Sequence, residues 1–176
     1  MLVNSSKALT QAEQDLFWMQ YAYRLAQKAE SEGEVPVGAV IVENGNRVAE
    51  GWNQTIQNYD PTAHAEIVAL RAAGQVLQNY RLGDLTLYVT LEPCPMCASA
   101  MVHARIKRLV VATKDPRTGS AGSVFNLTQD ARLNHHIEVE FGVLEADASA
   151  QLKSFFKQKR SRKKDQVLAN VTAKDC

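Results

Sequence analysis

The chain has 176 residues, of which 45% are hydrophobic and 22% charged, and its formal net charge is +1. Those values exclude an intrinsically disordered chain, and the lack of any apolar run of bilayer length excludes a membrane-spanning one. The length suits one domain with its own core, and Met1 to Thr10 lacks the apolar stretch of a secretion signal, so the cytoplasm is the expected compartment.

Thr10-Gln11-Ala12-Glu13 has capping-box spacing, and Leu16, Met19, Tyr23, Ala26 and Ala29 follow at helical intervals. A first helix is predicted over 11–30, stopping near Gly33. Val35 to Val42 and Arg47 to Trp52 are β-rich runs flanking Glu43-Asn44-Gly45-Asn46, whose Asn-Gly pair predicts an antiparallel hairpin. Asp60-Pro61 marks a loop, after which Ala63 to Leu77 reads as a second helix, its last turn weakened by Gly74. Leu85 to Leu91 is a buried type of strand that Pro93 ends, and Pro95 suits the first turn of a third helix reaching about Ala104.

Ile106 to Thr113 reads as the next strand. Residues 114–135, rich in Gly, Ser, Asn and Thr, predict a long loop with short helical pieces, a kind of segment that is more often functional than idle in a compact domain. Ile137 to Val143 is a fifth strand, and Ala146 to about Lys159 a closing helix. The order α-β-β-α-β-α-β-β-α predicts a mixed sheet with helices on both faces. One domain is expected over 1–160, with 161–176 a flexible tail.

Charge is unevenly placed. Residues 153–164 (KSFFKQKRSRKK) hold seven of the 20 basic residues and no acidic one, which leaves 13 basic against 19 acidic elsewhere. A polyanion would meet the protein at that stretch. Three cysteines are too few for a disulfide scaffold, and Cys176, the last residue, has no evident task.

The chemistry-bearing residues are His64-Ala65-Glu66 and Pro93-Cys94-Pro95-Met96-Cys97. One imidazole and two thiols are zinc ligands, and three protein donors leave a fourth position for water, the catalytic rather than the structural pattern. Zinc would lower the pKa of water from ~16 to about 7. Glu66 would carry protons from the water to a ring nitrogen and then to departing ammonia.

Geometry constrains the assignment. Residues two apart on a regular helix point ~200° from each other, so His64 and Glu66 converge only at an irregular helix start, which Asp60-Pro61-Thr62 supplies. Cys94 and Cys97 are i,i+3 neighbours at the start of the third helix, whose N-terminus favours thiolate. Singly, each piece has a plainer reading: Cys-x-x-Cys as a redox pair or half of a structural zinc site, His64 as a core histidine, Glu66 as a solvated helix residue. Their combination in this order points to catalysis. His103, His135 and His136 lack such context and read as structural or surface residues.

With those residues in view, the sequence resembles the bacterial tRNA-specific adenosine deaminases, within the cytidine and deoxycytidylate deaminase superfamily, whose known signature is H-x-E followed by P-C-x-x-C. The resemblance runs from about Trp18 to Arg160. It is carried by Val35-Pro36-Val37-Gly38-Ala39-Val40, Gly51-Trp52-Asn53, Asp60 to Glu66, Thr90 to Cys97, Asp115-Pro116-Arg117-Thr118-Gly119 and Gly122-Ser123. It implies a three-layer α-β-α sandwich around a five-stranded mixed sheet, one zinc ion per subunit, and a homodimer without membrane attachment. The implied reaction is hydrolysis of the wobble adenosine to inosine in the anticodon stem-loop of an arginine tRNA, with the unpaired base everted into the pocket.

By the same resemblance Asn53 would bond the purine, and backbone groups around Ala65 and Cys94 would hold the reacting groups. Asp115 and Arg117 would contact neighbouring nucleotides, with Phe156 and Arg160 completing the RNA surface. Aromatics between cations suit RNA, although Phe155 and Phe156 equally suit anchoring of an amphipathic helix. Thr55 stands where relatives often have proline, and the leader Met1 to Thr10 and the tail from Ser161 have no clear counterpart. Two rivals stay open: deamination of a free nucleoside, nucleotide or guanine, and a zinc-stabilised RNA-binding module without turnover.

Overall fold

The computed structural model describes residues 9–172. Four helices and five strands follow in the expected order: α1 (Gln11–Ser31), β1 (Gly38–Glu43), β2 (Asn46–Trp52), α2 (Ala65–Leu77), β3 (Thr86–Leu91), α3 (Pro95–Ala104), β4 (Arg108–Thr113), β5 (Glu138–Phe141) and α4 (Glu145–Thr172). Cys176 and most of the leader lie outside the described residues.

The strands make one sheet in the order β2-β1-β3-β4-β5. β1 runs antiparallel to both β2 and β3, whereas β3, β4 and β5 are mutually parallel. α3 is thus the crossover of a β3-α3-β4 unit. Side chains alternate across the pleat. Ala39, Ile41, Leu87, Val89, Leu109 and Val111 enter the core shared with α2 and α3, while Val40, Val42, Tyr88, Val110 and Ala112 enter the core under α1 and the start of α4. With both faces covered, the inner strands are apolar at nearly every position. This is the three-layer sandwich with a five-stranded mixed sheet.

Local chemistry sets the boundaries. The capping box at Thr10 and Glu13 is formed in both directions. α1 ends at Ser31 with Glu32 as its cap, and Gly33 follows with φ +82°, where a side chain would be strained. β1 begins at Gly38 rather than Val35, because Pro36 has no N–H for the ladder and Val37 N–H turns back to Val35 O at 2.8 Å.

Three further expectations are corrected. The buried stripe of α1 is Asp15, Trp18, Met19, Ala22, Leu25, Ala26 and Ala29, and Leu16 is exposed. Asp15 replaces it inside because Arg108 Nη1 and Nη2 donate to its two oxygens at 2.7 and 2.8 Å, and Tyr88 Oη donates at 2.8 Å. Residues 114–135 contain no helical piece but turns and one bridge between Ala121 and Asn126. Backbone donors of Asp115, Ala121 and Ser120 find acceptors in the Glu92 carboxylate and Pro93 O, and the single bond four residues back, from Gly119 N–H to Asp115 O, is not continued into a helix. Finally, α4 continues to Thr172, well past Lys159, since no Gly or Pro stands in residues 160–172 to break it.

Candidate metal and active site

The site forms where α2 and α3 begin, at the carboxyl end of β3, the usual ligand position in a sheet with parallel strands. His64 caps α2 in extended conformation (φ −71°, ψ 152°), and Cys94 caps α3 likewise (φ −71°, ψ 172°). The cap position normally holds a side chain that bonds the helix's first N–H groups. Neither His64 nor Cys94 makes such a bond, so both remain available to another partner. His64 has thus left the helix that carries Glu66, which resolves the angular conflict noted above.

His64 Nδ1 lies 3.7 Å from Cys94 Sγ and 3.6 Å from Cys97 Sγ, and the two sulfurs are 3.7 Å apart. A tetrahedral zinc with bonds of ~2.3 Å to sulfur and ~2.0 Å to nitrogen requires a sulfur–sulfur edge of about 3.8 Å and sulfur–nitrogen edges of about 3.5 Å. The triangle therefore already has the dimensions of a zinc site. It is the one such group of His, Cys, Asp and Glu donors among the described residues.

The electrostatics agree. The hydrogen bond from Cys97, with help from His64, pushes the Cys94 thiol down to about 4. The same sharing with Cys94, together with burial, drives the Cys97 thiol upward. The bond to Cys94 raises His64. A cluster in which one proton is shared among crowded donors is one that a cation relieves. Beside it Glu66 is 3% exposed, and burial pushes its carboxyl up to about 7, so the same group can take and give a proton near neutral pH.

The expected substrate contacts fall on three pieces of the chain. Asn53 follows β2 and is buried; its Oδ1 accepts from Ala65 N–H at 2.9 Å, which ties it to the first turn of α2 and leaves its amide as a donor. Gly51 permits that approach, since a Cβ there would stand 2.3 Å from Ala65 O and 2.7 Å from Ala69 N. Asp115 and Arg117 follow β4. Asp115 accepts from Arg117 N–H and Thr118 Oγ within its own turn, and Arg117 is exposed.

On α4, Phe155 is buried and anchors the helix, whereas Phe156 and Arg160 face solvent. The helix reaches α1's end through Lys159 Nζ, which donates to Gly33 O at 3.4 Å. The three other histidines lie apart: His103 is exposed in the last turn of α3, and His135 and His136 meet the carbonyls of Ile106 and Asp130.

Besides Asp15, sequence reasoning missed two buried carboxylates, Glu34 and Glu92. Glu34, fully buried, accepts from Ile56 N–H at 2.7 Å, Gln57 N–H at 2.9 Å and Thr55 Oγ at 3.1 Å. Thr55, the departure noted above, thus bonds to Glu34. Glu92 holds the opposite loop. At Glu92 the available signal was an acidic residue between Leu91 and Pro93 at a strand end, a position that is costly to bury unless its oxygens are filled.

Fold and site together define a zinc-binding deaminase. Residues 12–113 match the cytidine and deoxycytidylate deaminase zinc-binding region, and the chain belongs to that family. Within it, the chain is 52% identical to the tRNA-specific adenosine deaminase of Haemophilus influenzae, over 89% of this chain and 91% of that one. A solved structure from work on A-to-I editing by tRNA:A34 deaminases at the wobble position of transfer RNA superposes with a TM-score of 0.75 at 39% identity, covering 77% of this chain and 99% of that one. The guanine deaminase of Bacillus subtilis superposes at 0.56 and 42% identity over 60% of this chain and 68% of that one.

Proposed function

We propose that the chain hydrolyses adenosine to inosine at the wobble position of tRNA, with an arginine tRNA as substrate. The observation that carries the reading is the zinc-sized triangle of His64, Cys94 and Cys97 with buried Glu66 beside it, in a chain whose 52% identical relative is a tRNA deaminase. When bound, zinc supplies a Lewis acid that makes water a nucleophile near neutral pH. Glu66 takes a proton from the attacking water, passes it to N1 of adenine, and later delivers one to the departing amino group, so adenosine and water become inosine and ammonia. The Asn53 amide donates to the purine. Backbone groups at Ala65 and Cys94 hold the reacting atoms, and the low dielectric around them strengthens those bonds.

Asp115, Arg117, Phe156 and Arg160 meet the flanking nucleotides, and the cations of α4 meet phosphates. A homodimer in the cytoplasm completes the reading. It rests on the resemblance. No helix among the described residues is long and apolar enough to cross a membrane.

Guanine deamination is the second reading that an observation favours, through the superposition on the B. subtilis enzyme. Incubation of the zinc-loaded protein with an anticodon stem-loop carrying a wobble adenosine should convert that base to inosine. Release of ammonia from guanine or cytidine with the RNA unchanged would overturn the substrate assignment.

A further inference from the structure

Glu92 has no part in the chemistry described so far, yet it is 2% exposed and every donor it accepts comes from one segment. Its Oε1 accepts from the N–H groups of Ala121 and Ser123, both at 3.0 Å. Its Oε2 accepts from Asp115 N–H at 2.9 Å and from Ser123 Oγ at 2.5 Å. Four donors fill the four lone-pair positions of a carboxylate. The segment has no helix or strand of its own, and it is held to the end of β3 by this side chain together with Pro93 O, which accepts from Ser120 N–H at 2.9 Å.

Two observations set the register. Glu92 stands two residues before Cys94, and its own N–H is fixed to Thr113 O at 2.9 Å, so the carboxylate is rooted in the strand end that presents the metal ligand. Gly119 packs against it so closely that a Cβ there would stand 2.4 Å from Glu92 Cδ and Oε2 and 2.5 Å from Asp115 O. The loop folds over the carboxylate and leaves no slack.

We propose that Glu92 is the positioning residue of the substrate loop: it fixes residues 115–123 to the strand end bearing Cys94, and so sets where Arg117 stands relative to the metal centre. The proposal rests on the RNA reading above for what the loop meets, and on the four bonds to Glu92 and the close approach of Gly119 for how the side chain holds the loop.

The test uses the zinc-loaded full chain carrying Glu92→Gln, in which an amide puts two hydrogens where an oxygen accepted. Gly119→Ala and Ser123→Ala reach the same bonds from the loop side, and they decide the matter if Glu92→Gln fails to fold. In each variant zinc content should stay at the wild-type level. Amide exchange should speed by about tenfold or more over 115–123 while α3 is unchanged. KM for the stem-loop should rise by about tenfold in Glu92→Gln with kcat within about threefold. Unchanged exchange over 115–123, loss of zinc, or a fall in kcat with KM unmoved would each overturn the proposal. Wild-type protein that leaves the RNA untouched overturns the reaction assigned above, and the exchange measurement then decides the role of Glu92 by itself.

Discussion

In the proposed reaction turnover depends on Glu66, the carboxyl buried beside the donor triangle. Glu66→Gln keeps the size and removes the proton carrier. Zinc content measured by elemental analysis should be unchanged while deamination falls by roughly 10²–10⁴-fold, the usual worth of general acid–base catalysis. A variant keeping most of its activity would remove Glu66 from the mechanism, and one without zinc would make it a metal-supporting residue. His64, Glu66, Cys94 and Cys97 were legible in the sequence because metal binding and proton transfer demand particular side chains at particular spacings. Glu34 and Glu92 were not, because their partners are mostly backbone N–H groups, which every residue but proline has.

Among the elements, α1, α3, β2 and the turn of the hairpin could be read to within a residue, since a capping box, an N1 proline and an Asn-Gly pair are local signals, whereas β1 was placed to start three residues early, at Val35. The inward turn of Asp15 could not, because its partner Arg108 is on a strand far along the chain. The contact of β2 with α2 yields a contrast between two glycines. Gly51→Ala forces α2 away from β2 and should lower stability by about 2 kcal/mol, within the usual range for overpacking, and weaken zinc binding in a chelator competition. Gly74→Ala in α2 meets nothing closer than 3.5 Å and should be neutral or stabilising by up to ~1 kcal/mol. Equal effects in denaturant melts would deny the close approach.

Helix α4 carries its own expectation. Replacing Lys157, Lys159 and Arg160 by Gln should weaken RNA binding and flatten the log–log salt dependence, by up to about one unit of slope for each phosphate that is no longer neutralised. An unaltered slope would mean that those exposed cations are only solvated.

At the scale of the whole molecule, Asp15 joins α1 to β3 and β4 through Tyr88 and Arg108. Burial alone would raise its carboxyl, but hydrogen bonds from Arg108, Gln11 and Tyr88 outweigh it and hold the group below its ordinary value. A carboxyl whose folded value lies below its unfolded one, ~3.9, stabilises the fold above that pH and loses the contribution as pH falls through the folded value. Asp15→Asn should therefore cost on the order of 2 kcal/mol at neutral pH, a gap that closes below about pH 4. Parallel urea melts at several pH values check this; a gap independent of pH would discount the ion pair.

Gly38 adds something to this picture. It lies on β1 across from Trp52, and a Cβ there would stand 2.2 Å from Ala22 O and 2.6 Å from Ala26 N of α1, as Gly51 on the neighbouring strand presses against α2. Both helices meet the hairpin backbone to backbone, with alanines at the contacts. Enlarging either glycine demands a simultaneous retreat of a whole helix, so neither position can accept a side chain by a single local adjustment.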